Sequence, residues 1–231
     1  MVMNATQRQY LKEMGVNVWL DRSKVQVVEK PVTVVNKIDT PVSTTLTSEL
    51  ETLRQQVAVC QNCDLYQTRT QTVFGVGNPN ADLLVIGEAP GADEDRQGEP
   101  FVGRAGKLLN NMLLAIGLKR EQVFIANILK CRPPNNRDPK PEEVIACESY
   151  LRKQIDLIKP KMILAVGRIA AQNLLKVDTP IGKMRGKQYV FPDSDLPVFV
   201  TYHPAYLLRS PREKRKVWED LKSVMQTFRE L

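Results

Sequence analysis

The chain has 231 residues, 42% of them apolar, with a formal net charge of +7 and a pI near 9.2. That length allows one sizeable core and a tail, and the apolar fraction is ordinary for a globular protein. No apolar run is long enough to cross a bilayer, and the N-terminus, Met-Val-Met-Asn-Ala-Thr-Gln-Arg, lacks the apolar stretch of a signal peptide, so a cytoplasmic protein without membrane contact is expected.

Residues 1–20 carry a short helical pattern through Tyr10, Leu11 and Met14, ending in Val18-Trp19-Leu20. Residues 24–47 are rich in Val, Thr, Lys and Pro without a helical period and read as a linker, with a β-hairpin as the alternative because Val and Thr favour strands. Ser48 followed by Glu51 forms a capping box, which predicts a helix from 49 to about 59 that delivers Cys60 and Cys63. The pattern then alternates. Asp82–Gly87 reads as a buried strand, residues 104–116 as a helix with its stripe through Leu108, Leu109, Met112, Leu113 and Ile116, and Val123–Leu129 as a second strand. Pro141 opens a helix with Glu142 and Glu143 at its positive end. Met162–Gly167 is a third strand, followed by a helix through Leu175, and Pro197–Tyr202 is a fourth. Ser210 and Glu213 form a second capping box, starting a helix that runs to about Phe228. Strands alternating with helices predict an α/β layered fold with a mainly parallel sheet.

Polar motifs fall where such a fold binds ligands, beyond the carboxyl ends of the strands. Glu88-Ala-Pro-Gly91 follows the first strand, Asn127 ends the second, and His203-Pro-Ala-Tyr-Leu-Leu-Arg209 follows the fourth. Gly87–Gly91 lets backbone approach a ligand beside a carboxylate. It has neither the lysine of a phosphate loop nor the spaced glycines of a dinucleotide fingerprint, and an ordinary turn is the plain alternative. His203 is the only histidine; its place at a strand end suits donation to a developing anion rather than a structural role. The amide of Asn127 offers a donor and an acceptor that fit a pyrimidine edge, although the strand alone equally allows a backbone-bonding Asn. Phe101, between Gly98 and Gly103, is either core or a stacking platform. Leu207 and Leu208 precede Arg209 in a basic stretch; they either pack on the next helix or wedge into the gap left by an extruded base.

Four cysteines, Cys60-x2-Cys63, Cys131 and Cys147, make up a complete four-thiolate set, and in a cytosolic chain they favour metal over disulfides. Zinc ribbons pair two close couples, whereas fifteen residues separate Cys131 from Cys147, and four thiolates equally suit an iron–sulfur cluster. The second couple brackets the basic loop Lys130–Arg137. Residues 119–140 hold six Lys or Arg against two acids and residues 207–231 hold seven against four, so positive charge gathers beside the motifs, as a polyanion site requires.

Taken in order and spacing, Cys-x2-Cys, Gly-Glu-Ala-Pro-Gly, Glu-Asp-x2-Gly-x-Pro-Phe-Val-Gly-x-Ala-Gly, Asn-x2-Lys-Cys-Arg-Pro-Pro-x-Asn-Arg, Cys147 and His-Pro-Ala-Tyr-Leu-Leu-Arg resemble the family 4 uracil-DNA glycosylases, the iron–sulfur type of bacteria and archaea. The likeness covers residues 48–228. It implies a three-layer α/β/α sandwich around a four-stranded, mainly parallel sheet, in a domain at 48–231 preceded by an extension and flexible linker at 1–47. It implies a [4Fe–4S] cluster on Cys60, Cys63, Cys131 and Cys147, and hydrolysis of the N-glycosidic bond of deoxyuridine in single- or double-stranded DNA by a monomer. By the same likeness Phe101 stacks on the flipped base, Asn127 reads its edge, His203 bonds uracil O2, and Glu88 and Ala89 line the pocket. Leu207 is then the wedge, with Arg209, Arg132 and Arg137 on the DNA.

One departure concerns the water. Better-known uracil-DNA glycosylases carry Asp where this chain has Ala89, so Glu88 and Glu94 are the carboxylates expected to position it. No lysine sits in the recognised pocket motifs, Gly87–Gly91, the Phe101 turn and His203–Arg209, which implies a monofunctional enzyme. There is no inserted basic loop after Gly91 and no second histidine, which sets the chain apart from a neighbouring family that links covalently to DNA. Three other readings compete: action on further deaminated bases, a non-catalytic nucleic-acid-binding module, and a nucleotidyl-transfer domain. The last lacks the clustered aspartates of a two-metal site.

Overall fold

The structure is a computed structural model that describes residues 5–16 and 44–230. The Val18–Leu20 end of the first pattern and the 24–43 part of the linker lie outside those residues. The elements run α1 (Ala5–Glu13), α2 (Thr44–Ala58), β1 (Val76–Gly77), β2 (Leu83–Gly87), α3 (Ala92–Gln97), α4 (Arg104–Ala115), β3 (Phe124–Asn127), α5 (Pro141–Ile158), β4 (Met162–Val166), α6 (Arg168–Leu175), α7 (Ile181–Met184), β5 (Gln188–Val190), β6 (Pro197–Thr201), α8 (Pro204–Arg209) and α9 (Lys214–Glu230), with short 3-10 turns between some of them.

The sheet order is β1-β3-β2-β4-β6-β5. The four central strands are parallel and match the four expected ones; every residue of β2, β3 and β4 is buried, as both faces of a covered parallel sheet require. The sheet is wider than expected by two short antiparallel edge strands, β1 on β3 and β5 on β6. Alternation sorts the strand side chains into two cores. Leu84, Ile86, Ala126, Ile163 and Val200 face α2, α5 and α6, while Leu83, Val85, Ile125, Leu164 and Phe199 face α1, α4 and α9. The three-layer α/β/α arrangement follows.

Two expectations shift. Helix α2 begins at Thr44, a turn before Ser48, and Ser48 sits inside it, its carbonyl accepting from the Thr52 hydroxyl at 2.9 Å. Residues 5–16, read from sequence as part of an extension outside the domain, pack into the second core through fully buried Leu11 together with Met14 and Val16. Burying one such leucine stabilises by about 1.5–3 kcal/mol, a part of what is needed to order a short helix at about 1–2 kcal/mol per residue.

Candidate active site and cysteine cavity

Pairing of Gly87 with Asn127 in register places the ends of β2 and β3 side by side, and β6 ends two residues before His203. The three polar segments therefore meet at one end of the sheet. They line a cavity of about 450 Å³ that holds Glu88, Ala89, Glu94, Phe101, Asn127, His203, Arg137 and Arg209, with Tyr206 and Asp138 added by the fold. Arg132 and Leu207 are not among its walls.

Phe101 sits at φ 54°, a left-handed backbone that a bulky residue adopts only under constraint, at a cost of about 1–3 kcal/mol. The constraint is visible on both sides. Glu94 Oε1 accepts from the backbone N–H of Val102 at 3.0 Å and Gly103 at 3.2 Å, and its Oε2 accepts from Gly91 N–H at 3.1 Å. Arg120 donates to the carbonyls of Pro100 at 2.5 Å and Phe101 at 3.4 Å. A side chain on Gly106 would lie 1.7 Å from the Phe101 carbonyl, and one on Gly87 2.5 Å from Asn127 Oδ1 and 2.6 Å from the Phe101 ring. Both glycines are required for close approach. Glu94, expected to position water, is instead engaged by three backbone donors and braces the turn that carries Phe101.

Asn127 is 2% exposed, and its side-chain Oδ1 is buried without a hydrogen-bond partner. An unpaired buried acceptor costs about 1–3 kcal/mol and marks a place for a ligand donor. His203 caps α8: its Nδ1 accepts from Ala205 N–H at 3.1 Å, which leaves the proton on Nε2. Burial, with the Arg209 guanidinium adding to it and Glu94 opposing, holds its pKa down at about 4, so the ring is a neutral donor near pH 7. The Phe101 and His203 ring centroids are 5.6 Å apart. Burial pushes Glu88 up to about 7; the Asp138 carboxylate raises it further and Arg168 opposes.

The segment after His203 is helix α8, not the loop expected. This corrects the wedge: Leu207 is 1% exposed and packs in the second core, while Leu208 is 37% exposed. Arg137 is bound to Glu143 through both terminal nitrogens, at 2.9 and 2.5 Å, and Arg132 donates to Asn136 Oδ1 at 2.8 Å. Arg137 thus orders the 131–137 loop on the N-terminus of α5, where Glu143 also accepts from Lys140 N–H at 2.8 Å.

The four cysteines surround a second, much smaller cavity of about 10 Å³, lined also by Arg69, Lys130 and Tyr150. Among the described residues no three His, Cys, Asp or Glu side chains converge on one point as ligands of a single metal ion. Donors already aim at the sulfurs. Arg69 Nη1 is 3.2 Å from Cys131 Sγ and Lys130 backbone N–H is 3.3 Å from Cys147 Sγ. Burial raises the Cys63 and Cys131 thiols and pushes Cys147 up to about 11, against the pull of Lys130.

Sequence reasoning missed Arg120, Asp138 and the buried Lys130. Only Lys130 carried a signal, as a lysine following the apolar run of β3.

The family model for the uracil DNA glycosylase superfamily matches residues 74–222. The chain is 47% identical over 181 residues to a type-4 uracil-DNA glycosylase of Archaeoglobus fulgidus, covering 76% of this chain and 91% of that protein. It is 46% identical over 184 residues to the type-4 enzyme of Sulfurisphaera tokodaii, covering 77% and 84%. With that of Saccharolobus solfataricus the identity is 45% over 186 residues, covering 78% and 86%.

Proposed function

The chain belongs to the uracil-DNA glycosylase superfamily and, within it, to the type-4 enzymes, and from that membership we infer that it excises uracil from DNA, leaving an abasic site for repair. The observation that carries this reading to named residues is the unpaired Oδ1 of Asn127, buried in the cavity that Phe101 and His203 also line. A duplex hides the bond to be cut, so the nucleotide must leave the stack to reach this cavity.

In the proposed complex uracil stacks on Phe101, its N3–H donates to Asn127 Oδ1, and His203 Nε2–H donates to O2. The C1′–N1 bond breaks with its electron pair passing to the base, leaving negative charge on uracil and positive charge on the sugar. A neutral imidazole fixed by its own cap bond is a preorganised donor to that leaving anion. Water adds to C1′ and loses a proton, and Glu88 is the carboxylate we assign to hold it, since the oxygens of Glu94 are already engaged. No lysine lines the cavity, in keeping with a hydrolase that forms no imine with the sugar. Arg209 and Arg132 are proposed on the phosphates, with Leu208 as the wedge. We take the protein to be a cytoplasmic monomer acting on single- or double-stranded DNA; no helix among the described residues is long and apolar enough to cross a membrane.

We further propose that Cys60, Cys63, Cys131 and Cys147 hold a [4Fe–4S] cluster. Four thiols around one cavity, with N–H donors directed at two of the sulfurs, suit a cluster held by four thiolates. When bound, it supplies a cross-link between the segment after α2 and the 131–147 loop.

An end-labelled oligonucleotide with one uracil tests the activity. Breakage only after alkali, together with free uracil, is expected; an intact strand after incubation with iron-loaded protein would reject the reading. Asn127→Asp is expected to shift preference toward cytosine, and an unchanged uracil-to-cytosine ratio would remove Asn127 as the reader.

A further inference from the structure

Lys130 is the largest side chain among the described residues that is wholly withdrawn from solvent. A buried ammonium is costly unless anionic or well-aligned partners surround it. Its Nζ donates to the backbone carbonyl of Asn127 at 2.8 Å and to Gln154 Oε1 at 2.6 Å, both neutral oxygens. Gln154 is itself fixed, its Nε2 donating to the Phe74 carbonyl at 2.9 Å. No ion pair of Lys130 with a carboxylate occurs among the described residues. The sulfurs beside it are those of Cys131 and Cys147: Lys130 lines the cysteine cavity, directly precedes Cys131, and its backbone N–H is 3.3 Å from Cys147 Sγ.

One residue therefore touches both functional regions. It lines the cysteine cavity and its main chain meets Cys147 there, while its ammonium reaches back to the peptide whose side chain is the unpaired acceptor of the other cavity. We propose that Lys130 is a positioning residue that couples the two: it is the buried counter-charge of the cluster's thiolates, and through the same ammonium it fixes the Asn127 peptide and so the aim of the base-reading amide. This rests on the reading that the four cysteines bind the cluster. The physical consequence is reciprocal. Loaded thiolates stabilise the ammonium in place, and the ammonium favours the more electron-rich state of the group beside it, since added electrons lie next to a positive charge.

The test uses iron-loaded full-length protein. Lys130→Met keeps an unbranched apolar stem one atom shorter and removes the charge. The expected result is a cluster reduction potential moved to more negative values, together with a KM for uracil-containing oligonucleotide raised about tenfold, the scale of one buried hydrogen bond. Affinity for uracil-free DNA is expected to stay unchanged. Gln154→Glu puts a carboxylate on the ammonium without changing shape and is expected to move the potential the same way. If Lys130→Met does not fold, this second variant decides. Iron-loaded wild type with an unmoved potential in the folded variants would overturn this inference alone. Wild-type protein that binds no iron would overturn the cluster reading and this inference with it.

Discussion

The base cavity and the cysteine cavity are built from the same loop ends, yet they stand in opposite states of completion. In the base cavity three of the groups expected to meet a base are already fixed: Glu94 is held by three N–H donors, His203 by its cap bond and the Phe101 turn by Arg120, while Asn127 keeps a buried, unpaired acceptor for a ligand. Around the cysteines the balance is electrostatic and open, with thiols raised by burial and a buried lysine lacking any carboxylate. A site for a passing substrate has to be rigid before the substrate arrives, because reorganisation at the moment of reaction costs rate. A site for a resident group is completed once, and its residues are balanced for the charge of that group.

Substitutions on either side break this contrast in different currencies. The largest effect is expected on the base side. His203→Ala should lower excision by about 10²–10³-fold, the cost of one preorganised donor, with iron content and DNA affinity unchanged. Rates near wild type would take His203 out of the chemistry. Next comes Cys131→Ser, which should lose iron and its visible absorption and destabilise the protein by about 2–5 kcal/mol, the scale of removing one cross-link over a long loop. Its readout is the denaturation midpoint, with activity falling in step with the folded fraction. Full iron retention in that variant would refute Cys131 as a ligand.

A smaller and more specific effect separates Glu88 from His203. With Glu88 at about 7 and His203 at about 4, kcat/KM should climb as pH rises through about 7 and show no inflection near 6.5, where an ordinary histidine titrates. At pH 6 the rate should be about tenfold below its plateau, and Glu88→Gln should abolish the limb. A limb that survives in that variant would move the water to another residue. Stability carries opposite signs from the two groups. The raised Glu88 contributes stability that is present below its ordinary carboxylate value and is lost as pH rises through about 7. The depressed His203 contributes stability that is present above about 6.5 and is lost as pH falls through about 4.

Legibility in the sequence followed the same division of labour. The four parallel strands were readable because a sheet covered on both faces makes unbroken apolar runs, and Glu88, Asn127 and His203 drew notice because they stand at or just past the ends of those runs. The edge strands were not: Val76-Gly77 is two residues long, and Gln188-Tyr189-Val190 is largely exposed, so neither has a hydrophobic period to detect. Helix α8 was hidden because its cap is a histidine rather than the usual Ser, Thr, Asp or Asn, although Pro204 at its first position was a usable sign. The roles of Arg120 and Lys130 were hidden for a different reason, although Lys130 itself stood out after the apolar run of β3. What they do depends on carbonyls of Pro100, Phe101 and Asn127, and backbone carbonyls leave no mark on composition.

The finest effect concerns the two leucines of α8, where one residue's difference in position separates packing from contact with DNA. Leu207→Ala removes a buried side chain from the second core and should cost about 2–5 kcal/mol, with excision per folded molecule unchanged. Leu208→Ala removes a partly exposed side chain and should leave the unfolding midpoint where it is. A wedge earns its effect only where a stacked base must be replaced, so Leu208→Ala should slow excision a few-fold from duplex DNA and hardly at all from single strands, whose bases are already free to leave the stack. The ratio of duplex to single-strand rates is the measurement. If that ratio falls for Leu207→Ala and not for Leu208→Ala, α8 must turn on the duplex to expose Leu207, and the packed arrangement seen here is the resting state of the wedge.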